Sequence, residues 1–125
     1  MSRTLAHQGP SVELVRAAFA AAGHSVLQLG VSGRGADLLV ADHYLVSVRA
    51  MHGAESATHT TQLKWWAGID RRQPYVPVMV VRGTRGFTTA GWTAWVPGWL
   101  LNNEPEVMGV PLRVWFDDFV KMPVM

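Results

Sequence analysis

The chain has 125 residues, 49% of them hydrophobic, with no cysteine and a formal net charge of +2. Length and apolar content suit a single domain over 1–125 with its own core; the missing cysteines exclude a disulfide framework and a thiolate metal site, and the small net charge does not by itself mark a nucleic-acid binder. No apolar run approaches the roughly 20 residues that cross a bilayer, and residues 1–10 lack the apolar centre of a signal peptide, so a soluble, cytoplasmic protein with no membrane partner is expected. Residues 1–9 are expected to be flexible.

Gly9-Pro10-Ser11 leads into Val12, Val15, Phe19 and Ala22, spaced by three, four and three, which predicts an amphipathic helix begun by Pro10 and stopped by Gly23. Glu13 lies off that stripe, where a first-turn acid is favoured by the helix dipole. Residues 25–29 alternate as a strand. Residues 30–35 form a glycine-rich connector that carries Arg34 but no GxGxxG or GxxxxGK pattern.

Two alternating runs, Asp37 to Val40 and Tyr44 to Arg49, flank the short turn Ala41-Asp42-His43 and predict a β-hairpin. Antiparallel pairing with Val40 opposite Tyr44 sets Asp37 against Ser47. Side chains alternate along a strand, so Asp37, Ser47 and Arg49 share one face while Val46 and Val48 point to the other.

Residues 50–57 are small and polar, as in a loop beside a site. Thr58 is the expected N-cap of a helix through Leu63, Trp66 and Ile69 to about Arg72, which places Arg71 and Arg72 in its last turn, where positive charge complements the dipole. Gln62 lies on this helix, on a solvated face or at a site. His43, His52 and His59 lack the i, i+4 spacing of a helical zinc pair and read as loop histidines, and Glu55 is a loop carboxylate or, if it migrates in space, a replacement for the missing acid beside Asp37. Tyr75 to Val81 is a nearly continuous β-branched run, expected of a strand buried on both faces. Arg82-Gly83-Thr84-Arg85-Gly86 follows it, either as a solvated turn or as two arginines that meet a phosphate backbone. Trp92, Trp95, Trp99 and Trp115 crowd the last third, as core or dimer interface or as base-stacking surfaces. Val110 to Phe116 predicts a last strand, followed by a short helix capped by Asp117.

This order resembles the PD-(D/E)XK nuclease superfamily, especially its small archaeal-type Holliday-junction resolvases: a helix, then strands carrying Asp and, ten residues on, Glu-x-Lys, then a helix and a strand. Asp37 matches the family's Asp, Ala36 stands in place of the Pro, and Ser47-Val48-Arg49 falls where Glu-x-Lys belongs. The resemblance covers about residues 10–85 and rests on order and spacing more than identity. It implies an α/β fold of the restriction-endonuclease-like type, a mixed central sheet flanked by helices. It further implies Mg²⁺ held by the Asp and Glu positions, a Lys that assists the attacking water, an additional acid at Glu13, a polar residue at Gln62, and a homodimer.

Ser47 lacks the charge that the family's Glu gives the ion, and the guanidinium of Arg49 stays protonated and cannot act as a base, though it can grip a phosphate through two hydrogen bonds. The expected role is a module that binds branched or duplex DNA through Arg34, Arg49, Arg82 and Arg85 with catalysis lost or impaired. Two alternatives stand beside it. One is an active Mg²⁺-dependent, structure-specific endonuclease with Asp37 as a weak metal ligand. The other is a nuclease fold reused as a regulatory module for a protein partner.

Overall fold

A computed structural model of the chain describes residues 3–29, 35–50, 57–83, 89, 91–102 and 111–122. Its elements in chain order are α1 (Arg3–Ala21), β1 (Val26–Gln28), β2 (Leu38–Val40), β3 (Tyr44–Arg49), α2 (His59–Gly68), β4 (Val76–Val81), β5 (Thr93–Pro97), α3 (Gly98–Asn102), β6 (Pro111–Trp115) and α4 (Phe116–Val120). The six strands form one open sheet in the order β1-β2-β3-β4-β5-β6. All neighbouring pairs are antiparallel except β3 and β4. That parallel pair needs a crossover, which α2 supplies.

Helix α1 buries Val12, Val15 and Phe19 of the predicted stripe on the sheet, whereas Ala22 is exposed and lies just past the end of the helix. The helix is stopped at Gly23, whose φ of +94° favours glycine, with the Gly23 and His24 N–H groups donating back to the Ala20 and Phe19 carbonyls. Its start differs from expectation. The helix runs through Pro10 instead of beginning there, at the cost of the bond that a Pro10 N–H would have given the preceding turn.

The two faces of the sheet are covered differently. Against α1, the even-numbered residues of β2, β3 and β4 (Leu38, Val40, Tyr44, Val46, Val48, Val76, Val78 and Val80) join Trp92, Ala94, Val96 and the Phe116 and Phe119 of α4 in one apolar cluster. Phe19 meets Phe116 and Phe119 edge to face, at centroid distances of 5.5 and 6.1 Å. On the opposite face Met79, Val81 and Trp95 pack under Ile69, Trp65 and Trp66 from α2 and its C-terminal end. Strand β4 is thus buried on both faces, as its β-branched run requires.

Two further boundaries differ from the sequence reading. Helix α2 is capped by the Thr58 side chain, which accepts the Thr61 N–H at 3.2 Å, but it stops at Gly68 instead of reaching Arg72. Helix α4 starts at Phe116 with Trp115 at its cap and no side-chain capping bond, so Asp117 lies inside the first turn. Burial of Phe116 and Phe119 places that turn, and an Asp117 cap would shift both rings by one position. Helix α3, immediately after Pro97, is an element beyond the expected order. No helix among the described residues is long and apolar enough to cross a membrane.

Candidate nucleic-acid interface

The β2–β3 hairpin has the expected register, with Leu38 opposite Val46 and Val40 opposite Tyr44. Its turn holds Ala41 and Asp42 at φ of +55° and +52°, and the His43 N–H closes it onto the Val40 carbonyl at 3.0 Å. At the other end of the hairpin the Asp37 N–H donates to the Val46 carbonyl at 2.9 Å, which continues the ladder one residue beyond β2. Asp37 therefore stands beside Ser47 on the α2 side of the sheet.

The side chain of Asp37 is 1% exposed, and its Oδ2 accepts the Val48 N–H at 2.7 Å. A carboxylate here takes the place of a backbone carbonyl as the acceptor for this N–H of β3. The Arg49 guanidinium lies 3.6 Å from the same oxygen and donates from Nη1 to the Val48 carbonyl at 2.9 Å. Ser47 is fully buried, and its Oγ has no hydrogen-bond partner among the described residues. The three residues that the hairpin reading groups together are thus together. The buried Asp37 and the partly exposed Arg49 form a charge-balanced pair, and Ser47 is a neutral hydroxyl beside it.

This set does not fit Mg²⁺. The ion is held by carboxylates and waters in near-octahedral geometry, whereas here one carboxylate already serves a backbone N–H and a guanidinium. A divalent cation next to Oδ2 would also face the Arg49 charge. Among the described residues no group of three or more His, Cys, Asp or Glu side chains converges.

The other expected members lie elsewhere. Glu13 is exposed on α1, and its carboxylate pairs with Arg16 one turn on, which holds the Glu13 pKa below the usual carboxylate value. Because α1 packs on the Val46 and Val48 side of the sheet, Glu13 belongs to the face opposite Asp37. Gln62 is on the Asp37 side but is committed to the fold. It is buried, donates to the Ala57 carbonyl at 2.9 Å and accepts the Trp95 indole N–H at 2.8 Å. Trp95 pairs with Met79, which pairs with Ser47, so the tie falls over a strand about 10 Å from Ser47 at the usual strand spacing.

Arg82 extends the β3–β4 pairing, its N–H donating to the Arg49 carbonyl at 2.9 Å. Its guanidinium donates to the buried Ser11 hydroxyl at 3.1 Å and lies 5.8 Å from the Trp92 ring centroid. Both partners belong to the α1 side. Arg49 and Arg82 therefore sit at one end of neighbouring strands on opposite faces. Gly83 is required beside them, because a Cβ there would come within 2.8 Å of the Gly91 carbonyl oxygen. Arg34, Arg85, His52 and Glu55 lie outside the described residues.

A second concave feature occupies the opposite end of the sheet. The α2–β4 connection, the start of β4, the end of β5 and α3 enclose a groove of about 530 Å³ that includes Trp66, Arg71, Arg72, Tyr75, Pro97 and Trp99 in its walls. Sequence reasoning places Arg71 and Arg72 in the last turn of α2 and flags Trp99 among the crowded tryptophans, but it does not bring them together. The only sequence signal is the recurrence of Trp and Pro at the ends of three separate segments. Compared with known proteins, the chain matches no family model, no curated protein and no solved structure.

Proposed function

We propose that this chain is a DNA-binding module of the restriction-endonuclease-like type that engages branched or duplex DNA without hydrolysing it. The observation that supports this reading best is the hairpin register. It sets Asp37, Ser47 and Arg49 on one face where the parallel β3–β4 pair ends, in a helix–three strands–helix–strand order. That is where the PD-(D/E)XK resemblance expects its acids and lysine. A neutral Ser47 and a permanently charged Arg49 in those positions favour phosphate contact over metal-assisted hydrolysis. A guanidinium offers five N–H donors, and the contacts to Asp37 and Val48 use one of its nitrogens, so Arg49 can hold Asp37 and present further donors outward. A homodimer through exposed apolar surface such as Trp115 on the outer strand β6 belongs to the same proposal.

The test is a fluorescence-anisotropy titration of a labelled four-way junction and a matching linear duplex, with Mg²⁺ or with EDTA, over a series of salt concentrations. Binding that is indifferent to EDTA, falls steeply with salt and weakens in Arg49→Ala supports the proposal, because phosphate contacts release counterions. Metal-dependent nicking that disappears in Asp37→Ala would replace it with an active endonuclease. Absence of salt-sensitive binding to either DNA would leave a protein-binding module as the reading to pursue.

A further inference from the structure

The groove at the far end of the sheet carries chemistry that the hairpin end lacks. Strand β3 runs from Tyr44, paired with Val76, to Arg49, paired with Val81. The groove lies at the Val76 end and the Asp37–Arg49 pair at the Val81 end, roughly 16 Å apart at the usual rise per residue. Its volume falls within the range of about 300–1,000 Å³ common for small-ligand sites.

Its walls combine two kinds of group. Trp66, Tyr75 and Trp99 contribute aromatic side chains, with the Arg71 guanidinium over the Trp66 ring, and Pro74, Pro77 and Pro97 add rigid apolar rings. Arg71 and Arg72 supply the charge, and no carboxylate residue lines the groove among the described residues. Arg71 is held in place. It donates to the carbonyls of Trp66 at 2.6 Å and Ile69 at 3.1 Å, and its guanidinium carbon lies 5.0 Å from the Trp66 ring centroid. Its partners are the carbonyls at the C-terminal end of α2 and a ring, and among the described residues no carboxylate pairs with it. Arg72 is bonded to Asp70 at 2.6 Å, and its side chain is 60% exposed. Three positions, Asp70, Arg71 and Arg72, therefore leave one net positive charge at the mouth of an aromatic groove. A proline-rich segment would use the rings, but proline itself carries no charge to meet the arginines. A planar ring with an attached phosphate uses both, since bases stack on aromatic side chains and guanidinium groups grip phosphates.

We propose that this groove binds a nucleobase carrying a phosphate, supplied either as a free mononucleotide or as an unpaired nucleotide of a single strand. Paired bases are stacked within the duplex and cannot enter, so the site goes beyond the duplex or junction contact proposed for the other end of the sheet.

The experiment is a tryptophan-fluorescence titration of the intact chain with thymidine, thymidine 5′-monophosphate and a ten-residue thymidine oligonucleotide. The expected result is saturable quenching by the monophosphate and the oligonucleotide, with affinity for thymidine at least tenfold weaker. Trp99→Ala and Arg72→Glu, both at exposed positions, should each weaken monophosphate binding by tenfold or more with the far-ultraviolet circular dichroism unchanged. Affinities are compared per nucleotide, because a ten-residue strand offers the groove about ten equivalent units: equal affinity on that basis identifies a free-nucleotide site, and a tenfold preference beyond it identifies a strand site. Quenching that does not saturate, equal affinity for thymidine and its monophosphate, or full retention of binding in both variants would overturn the proposal. Binding lost in Trp99→Ala and Arg72→Glu belongs to the groove, whereas oligonucleotide binding that survives both and is lost in Arg49→Ala belongs to the Asp37–Arg49 end, so failure of this proposal is told apart from failure of the DNA-binding reading on which the other end rests.

Discussion

The two faces of the sheet differ in what they bury. The α1 face is a continuous apolar cluster in which aliphatic strand residues meet Phe19, Phe116 and Trp92. The α2 face carries a smaller apolar cluster around Met79 and Trp95, and it also buries Asp37, Ser47 and Gln62. Buried polar groups are costly unless they are bonded, and on the α2 face two of these three are bonded within the fold. Asp37 serves the Val48 N–H, and Gln62 joins Trp95 to Ala57. The α1 face supplies most of the apolar burial and has Ser11 bonded to Arg82 at its margin, while the α2 face holds Asp37, Ser47 and Gln62 and fixes Asp37 and Gln62 with hydrogen bonds.

If the α1 face dominates stability, Phe19→Ala should have the largest effect. A buried phenylalanine removed from a close-packed core costs about 3–5 kcal/mol, so urea unfolding should show a midpoint far below that of the parent, or no folded baseline. Asp37→Ala comes next. It leaves the buried Val48 N–H without its acceptor at a cost of about 1–3 kcal/mol, with the half-buried Arg49 charge losing its partner in addition. Asp37→Asn keeps an acceptor oxygen and should lose less than half as much. Equal losses in the two variants would mean that the carboxylate's charge, rather than its hydrogen bond, holds the hairpin.

Gln62→Ala removes the acceptor of the buried Trp95 indole N–H and should cost about 1–3 kcal/mol in the same urea experiment. A stable variant with weakened DNA binding would instead make Gln62 part of the interface. On the α1 face, burial raises the Tyr44 pKa above its ordinary value of about 10. The unfolded chain then releases that proton before the folded one does, so the contribution is intact below pH 10 and stability falls as pH rises past it. Urea midpoints at pH 9 and pH 10.5 should show this fall, and Tyr44→Phe should reduce it. Ser47→Ala should have the smallest effect, within about 0.5 kcal/mol of the parent or slightly stabilising, because the hydroxyl is buried without a partner among the described residues. A clear destabilisation by thermal melting would show that Ser47 has a bonded partner in solution.

Much of the local structure is legible in the residue order. Alternation on either side of Ala41-Asp42-His43 specifies the hairpin register, because a slip of one residue would turn Val46 and Val48 out of the core. Thr58 marks the start of α2 and Gly23 the end of α1 through capping bonds that span only a few residues. The end of α2 is less legible. Arg71 complements the helix C-terminus as its charge suggests, but it does so from beyond the helix by folding back onto the Trp66 and Ile69 carbonyls.

The sequence by itself determined the mixed α/β class, the order of the main helices and strands, and the grouping of Asp37, Ser47 and Arg49, since each depends on periodicity or on pairing across a short turn. Only the tertiary structure decided that Glu13 and Arg82 belong to the face opposite Asp37, that Gln62 is spent on Trp95, and that Trp66, Tyr75 and Trp99 close a groove around Arg71. Those outcomes depend on which helix covers which face and on which strand ends meet. Such choices are made by packing between segments far apart in the chain, and spacing along the chain does not encode them.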